Sequence, residues 1–127
     1  MEKYKQLTRE DLKKLIDEKK DFVLIDVLAP ASYEGRHLPN AKNAFVKESD
    51  FLEKVEKFVS NKEATVVVYC ASFTCQLSPR AAGELVEAGY TNVYDFKGGL
   101  ADWLDAGYSL EGESAGKKKE VGCSCCN

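Results

Sequence analysis

The run Thr65-Val66-Val67-Val68-Tyr69 constrains this chain more than any other feature. It is continuously apolar rather than alternating, so a strand built from it must be covered on both faces, as parallel strands inside α/β sheets are. The flanking segments repeat that demand. Phe22 to Val27 is apolar, β-rich and ends on an acid, and Asn92–Phe96 reads as a further strand, with short extended pieces around Tyr4 and near Asn43–Phe45. Between them run helical patterns. Thr8 is an N-cap with Asp11 three residues on, before Leu12, Leu15 and Ile16, and Pro30 opens a short helix reaching Glu34 before Gly35. Phe51, Leu52, Val55, Phe58 and Val59 mark one helix face. Ser78-Pro79 is an N-cap and first-turn pair for a helix reaching Ala88, with Gly89 beyond it, and Leu100–Ala106 is a last short helix after the Gly98-Gly99 turn. The expectation is an α/β domain: a small, mainly parallel sheet of about five strands with helices on both faces.

With 127 residues the chain holds one domain. The periodic pattern stops at Glu111, so residues 1–110 are expected to form the domain and 111–127 a flexible tail of lysines and cysteines. The longest apolar runs, Phe22–Ile25 and Val66–Tyr69 followed by Cys70, fall far short of the ~20 residues of a membrane span. A net charge of −3 gives no broad reason to bind nucleic acid or an anionic membrane. The N-terminus lacks the apolar stretch of a secretory signal, so a cytoplasmic protein is expected.

Of the five cysteines, Cys70 and Cys75 lie mid-chain and Cys123, Cys125 and Cys126 at the end. An odd count in a chain read as cytoplasmic argues against a disulfide framework. Cys70 stands at the end of the strongest strand, before a loop that leads into a helix. Ligands of open α/β sheets bind at the carboxyl ends of strands, and a helix N-terminus offers free N–H groups and the positive end of its dipole. That setting predicts a thiolate nucleophile with a depressed pKa. The loop residues Ala71, Ser72, Phe73, Thr74, Gln76, Leu77 and Ser78 are the candidate substrate-binding residues, with Cys75 close enough in sequence for a reversible disulfide with Cys70. The plainer reading makes Cys70 a small buried hydrophobe.

Several ordered blocks then resemble one family. Leu24-Ile25-Asp26-Val27 with Tyr33-Glu34, His37-Leu38-Pro39-Asn40-Ala41, Val66-Val67-Val68-Tyr69-Cys70, Glu87-Ala88-Gly89-Tyr90-Thr91-Asn92-Val93, and Lys97-Gly98-Gly99 with Trp103 are similar, in order, to the motifs of the rhodanese-like, single-domain sulfurtransferases. The resemblance runs from about Leu7 to Leu110. It implies that Cys70 attacks the sulfane sulfur of thiosulfate or a persulfide, and that the resulting Cys70 persulfide passes its outer sulfur to a thiol or other nucleophile. It implies no cofactor and small-molecule partners, with a protein thiol as a further acceptor.

Two departures stand out. Many members place an arginine five positions after the cysteine, where this chain has Cys75; its loop resembles a C-x-x-x-x-C subgroup. This leaves Arg80 and Lys97, with Asp26, as candidate pocket residues and points to a persulfide over thiosulfate as donor. Leu28 also stands where the first strand commonly continues with arginine.

Because Cys75 to Arg80 is itself C-x-x-x-x-R, Cys75 is the alternative nucleophile; with Cys70 as nucleophile, Cys75 becomes a resolving thiol. A phosphatase or arsenate-reductase loop needs an arginine six positions after its cysteine, and Gln76 and Ala81 occupy those places. A non-catalytic redox-sensing or protein-interaction module using the Cys70/Cys75 pair is the rival reading. His37 is expected to be structural. No metal site is expected; Cys123, Cys125 and Cys126 are the one set with soft-metal character, lacking a histidine.

Overall fold

The computed structural model describes residues 4–112. Ten elements follow one another: β1 (Lys5–Gln6), α1 (Arg9–Asp17), β2 (Val23–Asp26), α2 (Pro30–Gly35), β3 (Lys42–Asn43), α3 (Phe51–Phe58), β4 (Val66–Tyr69), α4 (Leu77–Glu87), β5 (Val93–Phe96) and α5 (Gly99–Asp105). The five strands form one sheet in the order β1-β5-β4-β2-β3, with every pairing parallel.

The apolar run takes the central place that its composition requires. Val66, Val67, Val68 and Tyr69 are all fully buried, so both faces of β4 are covered. In register, Asp26 lies beside Tyr69 and Phe96 on its other side, which brings the carboxyl ends of β2, β4 and β5 to one rim. The chain leaves β2 toward β3 and leaves β4 toward β5. The rim between β2 and β4 is therefore the point where strand order reverses, the position at which such sheets hold ligands.

Local chemistry explains the element ends. Thr8 Oγ1 accepts from the Asp11 N–H at 3.1 Å, capping α1, and Pro30 opens α2. β3 is shorter than expected and begins at Lys42. Beyond it the chain still follows β2 through irregular bonds from Ala44 N–H to the Asp26 carbonyl and from Val46 N–H to the Val27 carbonyl. Leu28 is buried in the core. His37 and Glu111 exchange backbone hydrogen bonds at 2.8 Å each, which holds Glu111 against the His37 turn. The tail's lysines and its Cys123, Cys125 and Cys126 lie outside the described residues, and among those described no helix is long and apolar enough to cross a membrane.

The glycine that bears on the cysteine loop is dictated by contact. Gly99 has φ +62°, and a Cβ there would stand 2.2 Å from the Cys70 carbonyl oxygen. The close approach lets Leu100 N–H and Ala101 N–H bond the Cys70 and Ala71 carbonyls at 3.0 and 2.8 Å. By contrast, Gly83 lies within α4, and a methyl group there would meet nothing within 4 Å. Gly99→Ala is expected to destabilise the fold by about 2 kcal/mol or more. Gly83→Ala should be neutral or stabilising by up to about 1 kcal/mol; urea unfolding of the two variants checks the contrast.

Candidate active site

Cys70 follows the last residue of β4 and is fully buried. Its sulfur lies against the start of α4: Ser78 N–H donates to Cys70 Sγ at 3.4 Å. A helix begins with N–H groups that lack helical partners, and here the cysteine sulfur satisfies one of them. This changes the expected helix start. Ser78 is not the N-cap; α4 begins at Leu77 after Gln76, which makes no side-chain cap, because Ser78 is turned inward against the thiol.

The loop folds with its apolar residues inside. Ala71, Cys75 and Leu77 are buried, Ser72 is half-buried, and Phe73, Thr74 and Gln76 face outward. A turn from Cys75 N–H to the Ser72 carbonyl, 3.1 Å, brings Cys75 back over Cys70. Ser72 and Thr74 hydroxyls bond each other at 3.1 Å. The Cys75 carbonyl accepts from two sides, from Cys70 Sγ at 3.6 Å and from Lys97 Nζ at 3.3 Å. Cys70 carries a free thiol; Cys75 is disulfide-bonded, and not to Cys70. The two loop sulfurs, expected to be able to bridge, are not joined here.

The electrostatics reverse the expectation drawn from the helix N-terminus. Burial pushes the Cys70 thiol above its ordinary value, outweighing the Ser78 side chain and the Ser78 and Ala71 N–H groups, which favour the thiolate. Buried Asp95 on β5 adds repulsion. N–H donors do face the sulfur, but desolvation wins because the closed loop buries it completely.

The three candidate pocket residues fare differently. Lys97 touches the loop, as above. Arg80 lies on the outer side of α4, paired with Glu84 at 3.1 Å. Asp26 is fully buried and serves the rim: its Oδ1 accepts from Leu28 N–H at 2.9 Å and its Oδ2 from the Tyr69 hydroxyl at 2.8 Å, while that hydroxyl accepts from Leu38 N–H at 3.0 Å. Tyr69 thus ties three segments together at the strand ends. His37 is structural in its contacts, with Nδ1 2.7 Å from the Tyr33 carbonyl and its ring stacked on Tyr33 at 3.9 Å. Gly99 and Asp95 escaped the sequence reading as neighbours of Cys70. The Gly98-Gly99 pair was a visible signal for the first; a lone aspartate in a strand gave none for the second. Among the described residues no group of histidine, cysteine and acid side chains is arranged to hold a metal.

The comparisons with known proteins agree with this geometry. The Rhodanese-like domain family matches residues 8–106, and the chain belongs to that family. It is 35% identical over 101 residues to the thiosulfate sulfurtransferase GlpE of Coxiella burnetii, covering 79% of this chain and 87% of that one. In structure it is similar to the BH2092 protein of Bacillus halodurans, with a TM-score of 0.81 at 22% identity over 94% of this chain and 84% of that one. The polysulfide-sulfur transferase of Wolinella succinogenes superposes with a TM-score of 0.66 at 26% identity, over 93% of this chain and 85% of that one.

Burial pushes the Asp26 carboxyl from the ordinary 3.8 up to about 7. The folded state therefore holds a proton there that the unfolded chain has released, so Asp26 makes stability fall as pH rises from about 4 to about 7, with no further change above that. Asp26→Asn should lack this fall. Across the window the wild type loses on the order of 3–5 kcal/mol relative to the variant, measured by denaturant unfolding at several pH values.

Proposed function

We propose that this protein is a sulfurtransferase that carries sulfane sulfur on Cys70. The observation that supports this most is a free thiol at the carboxyl end of the central strand, with its sulfur against the first-turn N–H of α4. The names of the GlpE and polysulfide-sulfur transferase relatives point the same way.

The reaction runs in two displacements. With the loop open, water and donor reach Cys70 and its thiolate attacks the donor's outer sulfur. The new Cys70 S–S bond forms as the donor's own bond to that sulfur breaks, and sulfite (from thiosulfate) or a thiolate (from a persulfide) leaves with the electron pair. The persulfide anion then faces the N–H groups of Ala71 and Ser78. An acceptor thiolate attacks the outer sulfur, and Cys70 departs as thiolate. No cofactor enters the scheme.

Cys75 fills the place where many family members carry arginine, and it is buried and uncharged. A dianion therefore has weak support at the loop, which favours a low-molecular-weight or protein persulfide over thiosulfate as donor. Once reduced, Cys75 is the resolving thiol in this reading: it attacks the inner sulfur of the Cys70 persulfide, releasing hydrosulfide and closing a Cys70–Cys75 disulfide.

Intact-protein mass spectrometry after exposure to thiosulfate or glutathione persulfide tests the reading. A gain of about 32 Da, one sulfur atom, is expected in the wild type and in Cys75→Ser and absent in Cys70→Ser. Loss only in Cys75→Ser would move the nucleophile to Cys75. No gain with either donor in folded protein would favour the redox-sensing or interaction module.

A further inference from the structure

A cavity of about 360 Å³ opens beside the cysteine loop, between the β1–α1 junction, the loop tip and the residue after β5. Its lining includes Leu7, Arg9, Glu10, Phe73, Lys97 and Asp102. It is joined to the nucleophile by two short contacts, since the Cys75 carbonyl touches both Lys97 Nζ and Cys70 Sγ. The cavity is of the size that holds small organic ligands, far larger than thiosulfate needs.

Its chemistry is mixed. Arg9 is occupied by Glu10, Asp102 and Asp105 at 3.2, 3.2 and 2.9 Å. Lys97 forms no ion pair among the described residues, and its ammonium is held by a carbonyl alone. Glu10 is exposed at the opposite sign. Phe73, 60% exposed, is the one large hydrophobic residue left in solvent among those described. An aromatic wall, a cation free to exchange a carbonyl for a carboxylate and a nearby acid suit a ligand with both charges on a short aliphatic frame. A small dianion would meet Glu10 and Asp102 as well as Lys97.

We propose that this cavity is the acceptor subsite and that it takes a zwitterionic amino-acid or peptide thiol, whose carboxylate Lys97 binds and whose frame lies on Phe73. The inference rests on the Cys70 sulfur-transfer reading. When the carboxylate takes the Lys97 ammonium, the Cys75 carbonyl loses that donor and the loop's hold at Cys75 weakens. The acceptor thiolate then attacks the outer sulfur of the Cys70 persulfide: the acceptor gains that sulfur as R–S–S⁻, the Cys70 S–S bond breaks, and Cys70 leaves as thiolate.

Two measurements on the full-length chain test the site. In the first, persulfide-loaded protein is mixed with glutathione or with 2-mercaptoethanol, and the ratio of the two transfer rates is taken within each variant, so that differences in loading cancel. Lys97→Met should lower the ratio about tenfold and Lys97→Arg should restore most of it, as for loss and return of a charged hydrogen bond. A ratio unchanged in Lys97→Met would overturn the assignment. In the second, S-methylglutathione, which cannot react, is titrated into Cys70→Ser and followed by amide NMR. Saturable shifts at Leu7 to Glu10, Phe73 and Lys97 support the subsite; shifts confined elsewhere, or none, overturn it. Absence of any Cys70 persulfide would defeat the sulfur-transfer reading, while the binding titration still decides whether the cavity holds such a ligand.

Discussion

Cys70 is first of all a hydrogen-bonding junction. Its sulfur accepts from Ser78 at the start of α4, and its carbonyl accepts from Leu100 at the start of α5. Two helices are thus seated on one residue at the end of the central strand. The arrangement needs Gly99, because any side chain there would displace the Cys70 carbonyl. It also needs the thiol to be dry, because Ser78 and the Cys75 carbonyl close over it. The contacts that organise the site also bury it: the Ser78 and Ala71 N–H groups favour an anionic sulfur, but burial favours the neutral thiol.

The neighbouring strand end supplies a fixed rim beside the loop. Asp26 receives the Tyr69 hydroxyl and the Leu28 N–H, and Tyr69 in turn receives Leu38 N–H. The network ties the turn after β2, the His37–Ala41 turn and the last residue of β4 together just before the cysteine. A buried carboxyl costs stability once ionised, and retaining one here exchanges some stability for a defined position of the strand end.

Much of this was legible in the sequence because it follows from local pattern. Continuous apolar character placed Val66–Tyr69 at the sheet centre, Thr8 and Pro30 marked helix starts, and the ordered blocks pointed to the family. The position of Cys70 was legible as well. Its electrostatics were not, since the helix N-terminus is a local feature and desolvation depends on how Cys75 and Leu77 fold inward. The start of α4 shifted for a related reason: a sulfur eight residues earlier, not the Ser78 hydroxyl, meets the first-turn N–H. The pairing of Asp26 with Tyr69 came from strand register, which one sequence does not display.

The central claim is that a buried, neutral Cys70 thiol is the resting form. The direct measurement is the thiolate absorbance near 240 nm as a function of pH, taken as the difference between the wild type and Cys70→Ser. The account predicts a single transition with its midpoint above the ordinary thiol value of about 8.5. A midpoint below 7, with the thiolate already formed at neutral pH, would contradict it.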